Sequence, residues 1–330
     1  MDKLHSPAPI RSEAAEQLRQ EVRDFLQREI ADRPVQDRAG GMTARDHDFS
    51  RKVGAQGWIG LTWPKEHGGQ ERSALERYVL LEEMLAAGAP VGAHWTADRQ
   101  SGPLLLKFGT DQQKRDILPR IAAGECYFCI GMSEPDSGSD LAAARTRADP
   151  TEGGYRVNGT KIWTSNAHLC HYMILFCRTD TKAEDKHGGV SQFLVDLKTP
   201  GIDIRPIYDM AGNHHFNEVV FTDVFLPAET LIGTEGGAWK QVTKELAYER
   251  SGPERFLSSL RVLQELVREL KDDPSDQAAI AIGRLTAHMI TLRRLSRSVA
   301  TMLENGEDPA LQAALVKDLG TELEQAIPRL

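Results

Sequence analysis

Apolar residues recur at every third or fourth position in the first third of the chain, which is the spacing of amphipathic helices. The first helix predicted in this way has an apolar stripe of Leu18, Val22, Phe25 and Leu26. Two further helices are predicted over residues 73–87 and 111–123, the second with Thr110 or Asp111 as its N-cap. We therefore predict an N-terminal α-helical domain over residues 1–125.

The hydrophobic period changes after residue 125, where short β-branched and aromatic runs alternate with turn residues. The predicted strands lie at residues 126–130, 155–157, 172–176, 192–195, 202–204 and 218–221. The pair Asn158-Gly159 is typical of a turn between strands. This spacing predicts a middle domain over residues 126–234 that is an antiparallel β-barrel or sandwich.

Helical spacing returns after Gly236, where two apolar stripes flank the turn pair Asn305-Gly306. The stripes are Leu285, Met289, Leu292, Leu295, Val299 and Met302, and then Leu311, Leu315, Leu319 and Leu323. They predict antiparallel helices in a C-terminal bundle over residues 235–330, so the fold class is α+β and multidomain. We expect the bundle to be incomplete, because an end at Leu330 would leave a stripe half covered.

Length and composition narrow the class of protein. A chain of 330 residues is long enough for two or three domains with sizeable cores. Its net charge of -8, with 27% charged residues, argues against a nucleic-acid binder, which would present a basic face. The N-terminal thirty residues contain no apolar signal segment, and no run approaches the length of a membrane span. We therefore expect a cytoplasmic protein.

Two pairs of cysteines and one pair of histidines are candidate metal ligands. Cys126 and Cys129 form a C-x2-C pair, whereas Cys170 and Cys177 are too far apart for a zinc knuckle. Both pairs lie in apolar, strand-like runs, which favours buried free thiols. Adjacent residues point to opposite sides of a strand, so His214-His215 would not easily share one ion. We predict no metal site.

Two polar segments interrupt the predicted strands, Gly131-Met-Ser-Glu-Pro-Asp-Ser-Gly-Ser-Asp140 and Lys161-Ile-Trp-Thr-Ser-Asn166. The first reads as a loop with free backbone N–H groups and hydroxyls. The second places a tryptophan beside small donors, which is what a planar heterocycle needs. From spacing alone, two polar turns around a buried tryptophan explain the pattern equally well.

Three motifs make the chain similar to the acyl-CoA dehydrogenases over essentially its whole length. Ser133-Glu-Pro-Asp-Ser-Gly-Ser-Asp140 resembles the family's T-E-P-G-A-G-S-D, with Asp136 in place of a glycine. Val157-Asn-Gly-Thr-Lys-Ile-Trp-Thr-Ser-Asn166 resembles I-N-G-x-K-x-W-I-T-N, and Phe221-Thr-Asp-Val-Phe-Leu-Pro227 resembles F-x-D-V-x-V-P. Their family order and matching intervals make chance similarity a poor explanation.

The resemblance implies an FAD enzyme that desaturates an acyl-CoA thioester between its α and β carbons. A base would remove the α proton while hydride leaves for flavin N5. It further implies that Ser133 contacts the flavin ring, that Trp163 lies against its face and that the Ser165 hydroxyl approaches N5. Ser139 would reach toward the diphosphate or the CoA. The full set of cofactor residues implied is Ile130, Met132, Ser133, Gly138, Ser139, Trp163, Thr164 and Ser165.

The catalytic base implied by the resemblance is Glu249. Most family members take this glutamate from a C-terminal Y-E-G-T-type segment, which this chain lacks. The isovaleryl and long-chain types place it on the first helix of the C-terminal domain, where Glu249 stands, with Tyr248 and Arg250 as substrate contacts. Glu245 is a weaker candidate, and an ordinary surface role for Glu249 stays open. Pro253 predicts a kink there, because it lacks the N–H that would bond the Glu249 carbonyl.

The family also suggests partners and alternatives. An acyl-CoA substrate, an electron-transfer flavoprotein and a homo-oligomer, either a dimer or a tetramer, are implied. The R-x-x-F-G motif that carries a neighbouring subunit's contact to FAD is missing. Two alternatives to a dehydrogenase therefore stay open. One is a non-catalytic FAD- or acyl-CoA-binding subunit of a hetero-oligomer, and the other is an acyl-CoA oxidase that passes electrons to oxygen.

Overall fold

The computed structural model describes residues 5–249, 252–272 and 275–329, and for residues 244–249 the backbone alone. The chain packs as two compact units, one of Met1–Trp95 with Leu246–Leu330 and the other of Thr96–Glu245. We call them the helical unit and the sheet unit. The domain boundaries expected after residues 125 and 234 were placed where the hydrophobic period of the sequence changes, and they stay a prediction.

The α-helices lie before and after the sheet. In chain order they are α1 Glu13–Ile30, α2 Val35–Ala39, α3 His47–Ala55, α4 Ala74–Ala87, α5 Gly102–Phe108, α6 Asp111–Ala122, α7 Ala238–Glu249, α8 Glu254–Leu257, α9 Leu260–Leu270, α10 Asp276–Glu304 and α11 Ala310–Ala326. Within the described part of the chain, no helix combines the length and the apolar character needed to cross a membrane.

The strands lie between α6 and α7. They are β1 Phe128–Gly131, β2 Arg147–Thr151, β3 Gly154–Lys161, β4 Tyr172–Arg178, β5 Val190–Asp196, β6 Ile202–Tyr208, β7 His214–Pro227 and β8 Leu231–Ile232. In the described residues they form one sheet of order β6-β7-β3-β2-β4-β5-β8, with β1 paired to β4. Helices, then a sheet, then helices is the fold class predicted from the sequence, which is confirmed.

The helix starts follow from capping residues. Ser73 accepts a hydrogen bond from the backbone N–H of Glu76, whose carboxylate accepts from the Ser73 N–H. Thr110 and Gln113 form the same reciprocal capping box at α6, so Thr110 rather than Asp111 is its N-cap. Each box satisfies two backbone donors that a helix start leaves without partners.

A buried ionic network joins three helices of the helical unit. Arg19 of α1 donates to Glu82 of α4 at 2.8 Å and also to Glu83. Arg293 of α10 binds Glu82 with two nitrogens, at 2.6 and 2.9 Å. Burial would raise the pKa of Glu82, but Arg293 and Arg19 hold it below its usual range. We call these residues, together with Arg23, the helix network.

The predicted stripe on α11 is confirmed at Leu323, which is buried, but it is wrong at Leu311 and Leu315. Leu311 and Leu315 are exposed. The residues of α11 that are buried are Ala313, Val316, Gly320 and Leu323. A Cβ at Gly320 would lie 2.0 Å from the Arg255 carbonyl oxygen, so the helix turns its small-residue face to a close neighbour. The stripe on α10 is confirmed for its buried members Leu285, Leu292, Val299 and Met302, and the Asn305-Gly306 turn is confirmed as well.

The sheet departs from the predicted pattern in two places. The first is parallel pairing, because β1 runs parallel to β4 from Phe128 opposite Tyr172 to Gly131 opposite Leu175. The second is Asn158-Gly159, which lies inside β3 instead of forming a turn. The ladder to β7 shifts register there, and a Cβ at Gly159 would lie 2.5 Å from Thr146 Oγ1. The glycine therefore marks a bulge where another backbone passes closely.

Candidate functional site

The polar loop of residues 131–140 begins at the end of β1. Glu134 and Ser137 close a tight turn, each N–H donating to the other's carbonyl at 2.7 and 3.1 Å. The Ser137 hydroxyl donates to the Asp140 carbonyl at 2.7 Å. Asp136 does not need the left-handed conformation that its family glycine could adopt, since its φ is not positive. It is exposed and lies 3.5 Å from Arg145.

Glu134 anchors this loop from inside the sheet unit. Its carboxylate accepts hydrogen bonds from the backbone N–H groups of Arg145 and Thr146, at 2.6 and 2.9 Å. It also accepts from Lys161 Nζ at 2.7 Å, and both side chains are buried. Burial would raise the pKa of Glu134, but the Lys161 ammonium and the two backbone donors hold it below its usual range.

Lys161 fastens the second polar segment to the first. Its side chain is fully buried and donates to the Met132 carbonyl at 3.0 Å as well as to Glu134. One residue on, the Ile162 N–H donates to the Ser133 carbonyl at 2.9 Å. The two motifs that were found apart in the sequence are therefore two sides of one structure. We call Glu134, Lys161 and the backbone groups they bind the loop network.

Trp163 is held in an uncommon conformation and faces outward. Its φ is +59°, a value that is rare for a bulky residue, and 58% of its surface is exposed. The Phe216 ring meets it edge to face, with centroids 5.9 Å apart. Strain of this kind persists where surrounding contacts impose it, and it concentrates at functional sites. The alternative of two polar turns around a buried tryptophan is wrong, because this tryptophan is exposed.

The residues expected to bind a cofactor fall into two groups. Ile130, Met132 and Ser133 are partly buried where β1 enters the loop, whereas Gly138 and Ser139 are exposed at its far end. Ser165 is exposed beside Trp163, but Thr164 is buried, so Ser165 presents the accessible hydroxyl of that pair. The side chains of Tyr248 and Glu249, and all of Arg250, lie outside the described residues.

The chemistry of these groups suits a planar aromatic ligand with an anionic part. Trp163 offers an exposed ring, and Ser133 and Ser165 carry hydroxyl groups on the two segments that the Ile162–Ser133 hydrogen bond joins. At Gly138 an added Cβ would meet nothing within 4 Å, so the backbone there is open to an approaching group. The loop network involves neither Ser133, Ser139 nor Ser165 through its side chain.

The four cysteines are free thiols. Cys126, Cys129 and Cys177 are buried, and Cys170 is partly buried. Burial raises the pKa of both Cys126 and Cys177 to about 12, which keeps the thiols protonated. The described residues contain no cluster of three or more His, Cys, Asp or Glu that could hold a metal.

Three site residues were not foreseen from the sequence: Glu134, Lys161 and Asn217. The first two lie inside the quoted motifs, but nothing in those motifs marks their charges as buried. Asn217 lies directly before the predicted strand of residues 218–221, and nothing in that pattern marks it. Its contact with Thr164 depends on the register of β7.

Two family models match the chain. Residues 12–125 match "Acyl-CoA dehydrogenase, N-terminal domain" and residues 129–224 match "Acyl-CoA dehydrogenase, middle domain". Acyl-CoA dehydrogenase FadE26 of Mycobacterium tuberculosis is 35% identical over 294 residues, which cover 84% of this chain and 72% of that protein.

Solved structures agree with the sequence matches. The "Tcur3481-Tcur3483 steroid ACAD" has a TM-score of 0.86 at 31% identity, and the match covers 97% of this chain and 84% of that one. The ChsE4-ChsE5 complex from Mycobacterium tuberculosis has a TM-score of 0.82 at 33% identity, with the same coverage. The chain therefore belongs to the acyl-CoA dehydrogenase family of FAD-dependent oxidoreductases.

Proposed function

We propose that this acyl-CoA dehydrogenase binds FAD against Trp163 and the loop of residues 131–140. The observation that carries the proposal is the exposed ring of Trp163, which is kept at a positive φ between two hydroxyl-bearing segments. An apolar ring of this size gains free energy when it is covered by another planar group. The family's dependence on FAD supports the identity of that group.

The residue roles follow from exposure and chemistry. Trp163 would stack on the flavin, and the Ser133 and Ser165 hydroxyls would donate to its ring edge, Ser165 near N5. Ile130 and Met132 would contribute the partly buried backbone at the loop entry, with Gly138 and Ser139 available to the diphosphate. Thr164 would support the ring contact from behind, since its side chain is buried. When bound, the flavin would supply the hydride acceptor for the substrate's β carbon.

Glu249 is our candidate for the base that takes the α proton. That proton is too weakly acidic for a carboxylate in water, so the base needs a pKa raised by desolvation. Helix α7 ends at Glu249, and Pro253 lies just before α8. The kink that Pro253 predicts at the Glu249 carbonyl involves residues 250 and 251, which lie outside the described residues. Tyr248 and Arg250 are our candidates for substrate contacts.

The base assignment is tested with Glu249→Gln. The variant should retain FAD and lose anaerobic bleaching of the flavin by acyl-CoA, because glutamine cannot accept the α proton. Glu245→Gln, one helical turn earlier, is the matched control and should bleach normally. Normal bleaching by Glu249→Gln would remove Glu249 from the mechanism. Hydrogen peroxide released in air by the wild-type protein would instead identify an oxidase, which replaces the electron-transfer flavoprotein with oxygen.

The substrate class follows from the relatives. A solved neighbour at 31% identity is described as a steroid ACAD, so we propose a thioester whose acyl group is attached to a bulky ring system. The base position, shared by resemblance with isovaleryl and long-chain types, agrees with a branched or long acyl group. A panel of straight, branched and steroid acyl-CoA thioesters, scored by flavin bleaching, tests this choice. Faster bleaching by straight short chains would contradict it.

A second candidate is that the chain acts as one subunit of a hetero-oligomer. The observation that favours it is that two solved neighbours above 30% identity are each described with two differently named proteins. Purification alone and together with a co-expressed family member separates the candidates. A homo-oligomer that is yellow and active by itself supports our expected dimer or tetramer. Flavin that is retained in the mixed complex alone supports the second candidate.

A further inference from the structure

The segment from Trp163 to Asn166 leaves the sheet and is not held by a strand ladder. The pairing of β3 with β7 ends at Lys161 opposite Val219. Beyond it, Trp163 has a φ of +59° and Asn166 a φ of +56°, both in the left-handed region. Two such residues so close together need neighbouring groups that impose the conformation.

Asn217 takes part in three hydrogen bonds to this segment, and the Asn166 N–H donates to the His215 carbonyl at 2.7 Å. The Thr164 N–H donates to the Asn217 carbonyl, and the Asn217 N–H donates to the Thr164 carbonyl, both at 3.0 Å. The side-chain Nδ2 of Asn217 donates to the same Thr164 oxygen at 3.0 Å. The Thr164 carbonyl therefore receives two hydrogen bonds from Asn217, which is fully buried.

Two histidines fix the orientation of the Asn217 amide. His214 Nε2 and His168 Nδ1 lie 2.7 and 3.2 Å from Asn217 Oδ1. Their rings stack with centroids 3.6 Å apart and an angle of 11° between planes. Nδ2 of Asn217 faces the Thr164 carbonyl, so Oδ1 faces the two ring nitrogens and accepts from each of them in the tautomer that carries the hydrogen there. A reversed amide would place the Asn217 oxygen against the Thr164 oxygen with no hydrogen between them.

We propose that Asn217 is a positioning residue for Trp163 and Ser165, the two exposed residues expected to contact the cofactor. It acts on them through the Thr164 carbonyl. His168 and His214 orient its amide. The role in cofactor binding rests on the proposed function. The positioning of Trp163 does not, because it concerns a side chain whose order can be measured in the protein with or without FAD.

The test is Asn217→Asp, which keeps the shape of the side chain and replaces the Nδ2 donor by an oxygen facing the Thr164 carbonyl. The Trp163 contribution to near-ultraviolet circular dichroism is isolated by subtracting the spectrum of the same protein with Trp163→Phe. In Asn217→Asp this Trp163 signal should fall by at least about half, since a mobile ring gives little circular dichroism. The variant should also bind FAD about tenfold more weakly. The control Asn213→Asp, on the exposed turn where Asn213 donates to Asp209, should retain both.

An unchanged Trp163 signal in Asn217→Asp would overturn the positioning role. If Asn217→Asp does not fold, two variants of His214 test the proposal instead. His214→Leu removes a donor to Oδ1 and should reduce the Trp163 signal, whereas His214→Gln offers an amide N–H and should restore it. Equal signals in these two variants would overturn the proposal. Absence of FAD binding by the wild-type protein, both alone and in the mixed complex, would refute the proposed function, while the Trp163 signal would still decide the role of Asn217.

Discussion

Each unit of this protein contains a buried ionic network, and the two networks are built for different tasks. In the helix network every partner of Glu82 and Glu83 is a side chain on a regular helix, chiefly Arg19 and Arg293. In the loop network Glu134 accepts from two backbone N–H groups, and Lys161 donates to a backbone carbonyl. The first network joins helices that already have their own backbone hydrogen bonds. The second holds segments that lie outside the helices and the strand ladders.

The difference assigns stability to one network and site geometry to the other. A helix keeps its shape without side-chain ion pairs, so the helix network adjusts how strongly α1, α4 and α10 associate. The loop of residues 131–140 and the segment after β3 have irregular conformations, which depend on whichever groups satisfy their backbone. Variants that break one network at a time should therefore separate unfolding from loss of cofactor.

Lys161→Met is expected to have the largest effect. Removing one partner of a buried pair leaves the other charge uncompensated, which costs about 3–5 kcal/mol of unfolding free energy. Urea unfolding followed by circular dichroism measures this loss. The double variant with Glu134→Gln should be less destabilised than the sum of the single variants, because the uncompensated carboxylate is gone. Additive effects would show that the pair is not coupled.

Glu82→Gln should destabilise the protein by about 2 kcal/mol, because charge-assisted hydrogen bonds from Arg19 and Arg293 become neutral ones. The Trp163 signal in near-ultraviolet circular dichroism should stay as in the wild type. A loss of that signal at temperatures where the protein is folded would erase the distinction between the two networks.

Packing in the helical unit is tested by a pair of glycines. Gly320→Ala places a Cβ against the Arg255 carbonyl and should cost about 1–3 kcal/mol, as overpacking does. Gly283→Ala on α10 is the control, since an added Cβ there meets nothing within 4 Å. It should stabilise the protein by about 0.5–1 kcal/mol through helix propensity. Similar melting temperatures for the two variants would contradict the close approach of α11.

Acid titration should give the smallest effect. The pKa of Glu134 is lowered in the folded state, so its stabilisation is fully present above the unfolded value of about 4.3. It is lost as the pH falls through the lower folded value. Glu134→Gln removes this contribution and should flatten the fall in stability below about pH 4. An unchanged slope would mean that Glu134 contributes no pH dependence.

Local signals in the sequence predicted more than distant ones. The N-cap of α6, placed at Thr110 or Asp111, and the polar loop were predicted because their signals are contiguous in the sequence. The buried face of α11 could not be predicted, since leucines at 311 and 315 outweigh small residues in any hydrophobic pattern, and the close approach of Arg255 to Gly320 appears only after folding. Asn217 was missed for the same reason, because its partners Thr164 and His168 are about fifty residues away.

The most direct test of the account is the affinity for FAD of the wild-type protein, Lys161→Met and Glu82→Gln, followed by quenching of flavin fluorescence at a temperature where all three are folded. Both variants lose a buried ionic partner, but the account predicts at least about tenfold weaker FAD binding for Lys161→Met and an unchanged affinity for Glu82→Gln. Equal affinities for all three proteins, or an equal loss in both variants, would contradict the claim that the loop network builds the cofactor site.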